Sequence, residues 1–149
     1  MNRYLAVDIG ASSGRHIVGW MEDGVLCTRE VYRFPNGVKE QDGHLVWDTE
    51  VLLKHVVAGI AQALRQYPDT VSMSIDTWGV DYVLFRGGQE VLPCYAYRDG
   101  RTEAVIPSVH EKVPFDTLYA HTGCQFQPFN TVYQLCDDDG PGLRRDRRI

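Results

Sequence analysis

With 149 residues, 44% hydrophobic and 23% charged, the composition is that of an ordinary soluble globular chain, long enough for one compact domain and too short for two full-sized ones. A chain of this length removes roughly 68–70% of its unfolded surface from water, which suffices for a real core. Fifteen Lys and Arg against 20 Asp and Glu leave a formal charge of −5, which argues against a general polyanion-binding surface and leaves any bound phosphate to one local site. No nucleic-acid and no membrane partner is predicted. Asp8 arrives before a signal-peptide hydrophobic region is complete, and no stretch approaches transmembrane length. Cys27, Cys94, Cys124 and Cys136 are scattered, with no CxxC pair and no His at metal-ligand spacing; four free thiols in a reducing cytoplasm is the expectation.

Tyr4-Leu5-Ala6-Val7-Asp8-Ile9 is a short apolar run ending at Gly10, and predicts a strand buried on both faces. Small turn residues follow, then a second strand over His16–Met21. Asp23-Gly24 signals a second hairpin whose far strand runs from Val25 to Phe34 and is closed by Pro35-Asn36-Gly37. From Thr49 to Tyr67 the residues Leu53, Val56, Val57, Ile60 and Leu64 form one helical stripe, predicted as core. Asp48 or Thr49 suits its N-cap, Glu50 complements the dipole and Pro68 stops it. Val71–Asp76 alternates as a strand, and Tyr82–Phe85 with Glu90–Leu92 predicts a hairpin around Gly87-Gly88. The predicted fold class is α/β: a mixed sheet, built as a three-strand meander, a crossover helix and a fourth strand. From Cys136 the chain is acidic and then basic with few apolar anchors, so residues 136–149 are predicted disordered. The five histidines show no convergent pattern and are expected near the surface.

Asp8-Ile9-Gly10-Ala11-Ser12-Ser13-Gly14-Arg15 gathers a carboxylate, two glycines, two hydroxyls and a guanidinium in one strand-turn-strand. Small residues let backbone N–H groups approach anionic oxygens, Arg15 offers a forked contact, and Asp8 can hold the water shell of a magnesium ion. The segment is neither a Walker loop nor GxGxxG. An ordinary hairpin turn, with Asp8 capping amides and Arg15 solvated, fits the composition equally; Asp8 tips the balance, because a carboxylate ending an apolar strand needs compensation. Thr77-Trp78-Gly79-Val80-Asp81 follows a strand, where open α/β folds bind ligands. Trp78 offers an apolar face or is core, and Gly79 admits a hydroxyl or is a plain turn residue. Tyr97-Arg98-Asp99-Gly100-Arg101-Thr102 suits either sugar stacking or a surface ion-pair cluster. Phe126, Phe129 and Asn130 line a pocket or belong to the core.

Asp8-x-Gly10-x4-Arg15 in a hairpin, followed by a strand and a helix, resembles the first phosphate motif of the ribonuclease H-like, actin-like ATPase fold. Within that fold the chain is similar to the FGGY sugar kinases, and among these to the members that act on L-rhamnulose. The resemblance rests on Ala6–Arg15, Arg33-Phe34-x-Asn36-Gly37, Trp47-Asp48, Ile75–Asp81, Tyr97–Thr102 and Phe126–Leu135, and covers residues 4 to 135. It implies transfer of the ATP γ-phosphoryl group to the 1-hydroxyl of L-rhamnulose, with Mg2+ as co-ion, in a cytoplasmic enzyme that is monomeric at full length. Ala11, Ser12, Ser13, Gly14 and Arg15 would contact ATP phosphates and Asp8 would hold Mg2+ through water. Gly79, with Trp78, Asp81, Tyr97, Phe129 and Asn130, would face the sugar.

The family pattern stops at Leu135, so residues 1–135 are expected to form an incomplete kinase domain. The family's general base lies in a later Gly/Ser-His-Asp motif, so no catalytic base is assigned within these 149 residues and the chain alone is expected to be inactive. The alternatives are a kinase for another ketose, xylulose or fuculose, and a non-enzymatic remnant or accessory sugar-binding domain.

Overall fold

A computed structural model of the protein describes residues 1–91 and 93–138. In chain order these form β1 (Arg3–Ile9), β2 (Ser13–Glu22), β3 (Val25–Pro35), β4 (Lys39–Gln41), β5 (His44–Val46), α1 (Thr49–Gln66), β6 (Thr70–Thr77), β7 (Phe85–Arg86), β8 (Gln89–Glu90), a 3-10 turn (Gly100–Thr102), α2 (Ile106–Lys112), α3 (Phe115–Thr122) and α4 (Thr131–Asp138). They fall into two compact units: residues 1–39 with 47–79, and residues 40–46 with the described residues from Val80 onward.

The first unit is a four-stranded sheet in the order β3-β2-β1-β6, with β1 antiparallel to β2 and parallel to β6. Asp23 and Gly24, both at positive φ, close the β2–β3 hairpin as the Asp-Gly pair predicts. Helix α1 begins where the Asp48 carboxylate accepts the Val51 N–H at 3.0 Å and packs on one face of the sheet over Leu5, Val7, Ile9, Val18, Val31 and Phe34. The expectation of a β1 strand buried on both faces is corrected: Leu5, Val7 and Ile9 are buried, while Tyr4 and Ala6 are exposed. Strand β6 is exposed on both faces: Met73 and Ile75, in register with buried Leu5 and Val7, are exposed, and so are Ser72, Ser74 and Asp76. The stripe on α1 is corrected too. Val56, Gly59 and Ala63 are buried, with Leu52 and Ile60 partly so, whereas Leu53, Val57 and Leu64 face outward. One sheet face gives α1 only a narrow seat, so its apolar arc is wider than the surface it covers.

Two close approaches explain the seat. A Cβ on Gly59 would lie 2.3 Å from the His16 ring, and His16 is fully buried, its Nε2 3.1 Å from the Val56 carbonyl. His16 therefore contradicts the surface placement expected of the histidines. The bond to Val56 compensates part of the burial, and the ring sits edge-on to Tyr32 and tilted against Phe34.

The second unit holds the β4–β5 hairpin, turned by Asp42 and Gly43 at positive φ, the β7–β8 hairpin turned by Gly87 and Gly88, and α2 to α4. The β7–β8 strands are two residues each, shorter than predicted, and the sequence reading missed β4, β5 and the three short helices. Their centre is polar. The Asp99 carboxylate accepts the Leu45 and Arg101 amides at 2.7 and 2.9 Å. Arg101, with its side chain only 5% exposed, donates to Asp137 and Asp138 at 2.6 Å and lies 4.3 Å over the Tyr95 ring. Thr102 Oγ1 donates to the Pro128 carbonyl at 2.8 Å. Asp99 and Arg101 are therefore interior supports, not a surface ion-pair cluster. The predicted break at Cys136 also moves: Cys136, Asp137 and Asp138 continue α4, and the rest of the predicted disordered segment, residues 139–149, lies outside the described residues.

Candidate functional site

The parallel pairing of β1 with β6 puts two predicted segments side by side in the first unit. Asp8 lies in register with Asp76 and Ile9 with Thr77, so the turn after Ile9 and the Trp78-Gly79 segment leave the same end of the sheet. Strand carboxyl ends in such sheets are where ligands bind, because neighbouring chains diverge there and leave a crevice. Across the other strands Asp8 pairs with Arg15 and Arg15 with Arg33. A row of charges, Asp76, Asp8, Arg15 and Arg33, thus crosses the sheet on the face away from α1, with cross-strand Cβ spacings of about 4.5–5.5 Å.

Within this row the Arg15 Nε donates to Asp8 Oδ2 at 2.8 Å, and Arg33 is held by Glu30 at 2.6 Å. The Arg33 guanidinium keeps the Glu30 carboxyl below the usual carboxylate range. Asp8 and Arg15 side chains are each a little under half exposed. The desolvation argument for Asp8 is therefore corrected, since it is neither deeply buried nor uncompensated. Of the turn residues, Ser12 and Arg15 are exposed, Ala11 and Ser13 half-buried, and Gly14 is buried. Gly14 is small for a structural reason: a Cβ there would lie 2.1 Å from Phe34 Cζ, and the Phe34 ring stacks on His55 of α1 at 4.4 Å. Gly10 is small because the turn folds tightly over it, its Cβ position lying 3.1 Å from the Ser13 carbonyl.

Of the predicted sugar-facing residues, Trp78 packs on the core and lies 4.4 Å from buried Trp47. Gly79 is exposed, and a Cβ there would meet nothing within 4 Å. In the second unit Asp81 is half-buried, and Tyr97 meets Phe129 edge-on at 5.5 Å. Asn130 donates to the Gln125 carbonyl at 2.9 Å and lines a largely apolar cavity of about 290 Å³ together with Val80, Phe115, Leu118 and Tyr133. Phe126 belongs to an aromatic cluster with His110, Phe115 and Tyr133. Val80 adopts φ +72°, a strained value for a β-branched residue. Its carbonyl is held from α4 by Thr131 Oγ1 at 3.2 Å and Gln134 Nε2 at 3.3 Å. The structure brings Asp76 beside Asp8 and Asn36 against the turn, neither singled out as a site residue from sequence; Asp-to-Asp adjacency needs the parallel register, which no local pattern encodes.

The chain matches the N-terminal domain of the FGGY family of carbohydrate kinases over residues 3–136. It is 40% identical over 147 residues to the rhamnulokinase of Bacillus subtilis, covering 98% of this chain and 30% of that protein. It is 44% identical over 136 residues to that of Halalkalibacterium halodurans, covering 91% and 29%. Among solved structures it superposes on a ligand-bound xylulose kinase from Lactobacillus acidophilus with a TM-score of 0.74 at 12% identity, over 95% of this chain and 29% of the other. On the Plasmodium falciparum glycerol kinase with ADP the score is 0.68, also at 12% identity, over 97% and 30%. The fold is thus the actin-like ATPase fold of these kinases, present as a partial domain. The chain belongs to the FGGY family of carbohydrate kinases, and it spans about three tenths of the length of the curated relatives it matches. No helix among the described residues is long and apolar enough to cross a membrane.

Proposed function

We propose that the chain carries the nucleotide-phosphate site and part of the sugar site of an ATP-dependent kinase that phosphorylates the 1-hydroxyl of L-rhamnulose. The observation that supports this most is the Asp8–Arg15 turn at the shared carboxyl end of β1 and β6, with Gly79 exposed at the same end. The residues fit the group. Ala11, Ser12 and Ser13 offer backbone amides and two hydroxyls, buried Gly14 lets the turn sit close on the sheet, Arg15 offers a guanidinium, and Asp8 is the carboxylate for a hydrated magnesium ion. The Asp8–Arg15 pair is solvated enough to contribute only about 0–1 kcal/mol, so re-partnering Arg15 to phosphate and Asp8 to the cation costs little. When bound, ATP supplies the phosphoryl group and magnesium part of the neutralising charge. The turn's own task is to hold the phosphates in place, since phosphoryl transfer depends on positioning and electrostatic stabilisation. On the sugar side, exposed Gly79 leaves room for a hydroxyl to approach backbone; Asp81, Tyr97, Phe129 and Asn130 are the further candidates, and Trp78 supports the segment from the core. The choice of L-rhamnulose rests on the rhamnulokinase relatives.

The test is thermal unfolding of the 149-residue chain with Mg-ATP and with L-rhamnulose. Each ligand at ten times its Kd should stabilise by about 1.4 kcal/mol. Arg15→Ala should remove most of the Mg-ATP response alone. Gly79→Ala meets no steric obstacle, so it should leave the unliganded midpoint unchanged while removing the sugar response. No response to millimolar Mg-ATP overturns the phosphate site, and a larger response to xylulose or fuculose replaces the assigned sugar.

A further inference from the structure

We propose that Asn36 is a positioning residue for the phosphate turn, setting the direction of the Ala11 and Ser13 amides; this rests on the reading of that turn as the ATP-phosphate site. Asn36 follows β3 and reaches back to the turn. Its Nδ2 donates to the Gly10 carbonyl at 2.8 Å, and its backbone N–H donates to the Ser12 carbonyl at 3.0 Å. Its Oδ1 accepts the Gly37 N–H at 2.9 Å, which fixes the end of the amide that faces Gly10.

A trans peptide unit is planar, with its carbonyl and N–H pointing in opposite directions. The Gly10 carbonyl shares its peptide unit with the Ala11 N–H, and the Ser12 carbonyl shares its unit with the Ser13 N–H. Drawing both carbonyls to Asn36 therefore turns both amides away from it. The bond from Gly10 N–H to the Ser13 carbonyl, 2.9 Å, closes the turn from inside and aims the Gly14 N–H toward β3, where Gly14 pairs with Phe34, so that amide belongs to the sheet. An anion is attracted by N–H groups and repelled by carbonyl lone pairs, so the direction of the Gly10–Ala11 and Ser12–Ser13 peptide units decides whether the turn can receive phosphate. The side chain has to be Asn because it must donate to one carbonyl while accepting from its own neighbour. An Asp there would set a carboxylate oxygen against the Gly10 carbonyl, and an Ala would free the peptide unit between Gly10 and Ala11 to rotate. Both keep the backbone bond to Ser12.

The experiment is titration of the 15N-labelled 149-residue chain with magnesium tripolyphosphate and, in parallel, Mg-ATP, read at the Ala11, Ser12 and Ser13 amides. The wild type should show saturable shifts. Asn36→Ala should raise Kd about tenfold and Asn36→Asp by more, with unliganded thermal midpoints within about 2 °C and unchanged shifts in the body of β1 and β2. A merely structural residue would move the midpoint and the strand amides, not the affinity alone. Wild-type affinity in both variants overturns the assignment. Where Asn36→Ala fails to fold, Asn36→Asp, which retains the bond to Gly37, decides by the same criterion, and loss of folding in both also overturns it. No shifts in the wild type with either probe would overturn the phosphate site itself, an outcome distinct from unaltered binding by the variants.

Discussion

At Gly14 a side chain would collide with Phe34, whose ring is buried and stacked on His55. Gly14→Ala should therefore destabilise the chain by about 1–3 kcal/mol, measured by urea unfolding, before any effect on phosphate binding. The motif reads Gly14 as a candidate phosphate-loop residue, yet its smallness serves the packing of the turn against Phe34, which stacks on His55 of α1. His16, two residues on, is held neutral because burial disfavours its charged form and pushes its pKa down from about 6.5. Its Nδ1 is buried without a hydrogen-bond partner, so a proton there would be an uncompensated charge. Below about pH 6.5 the unfolded chain takes up a proton that the native chain refuses, so stability falls as pH drops from 7 toward the lowered native value. The thermal midpoint should decline between pH 7 and 5, and His16→Gln should flatten that slope. The carboxylates held low, Asp48 by Lys39 and Asp69 by Arg3, act in a separate window below about pH 4.

At the scale of elements, α1 shows how periodicity finds a helix without finding its seat. The 3.6-residue repeat and the Asp48 cap were legible, and the helix ends within one residue of the predicted limit. The buried line runs through Val56, Gly59 and Ala63 because His16 needs the gap at Gly59. Val56→Ala should cost about 1–3 kcal/mol in urea unfolding, whereas Leu53→Ala, on the exposed side, should stay within about 0.5 kcal/mol. Equal costs would mean that α1 is rotated relative to the sheet. The short helices α2 to α4 were missed because each is eight residues or fewer, below the length at which a repeat rises above composition.

Over the whole molecule, the polar centre of the second unit ties α4 to the 3-10 turn. Arg101 is buried against Asp137 and Asp138 on α4. Removing the partners of a buried guanidinium costs about 3–5 kcal/mol. A chain cut after Leu135 should lose the fold of the second unit, seen as loss of near-ultraviolet circular dichroism from its tyrosines. A chain cut after Asp138 should keep it. Arg101→Met within the full chain should recover part of the loss that Arg101→Ala incurs, since an apolar side chain of similar length fills the site without a charge to satisfy.

The sequence by itself determined the order of β1, β2, β3, α1 and β6, the Asp23-Gly24 and Gly87-Gly88 turns, the helix cap and the motifs that carry the family, because each of these is set by residues within a few positions of one another. Only the tertiary structure decided that Asp8 lies between Arg15 and Asp76, that β1 is open on one face and β6 on both, that His16 is buried beneath Gly59, and that Asn36 bonds back to the turn after β1. Each of these depends on which distant backbone comes alongside, through strand register and the packing of one helix on one face. Register and packing are properties of pairs of segments. A single segment, however clear its pattern, does not contain them.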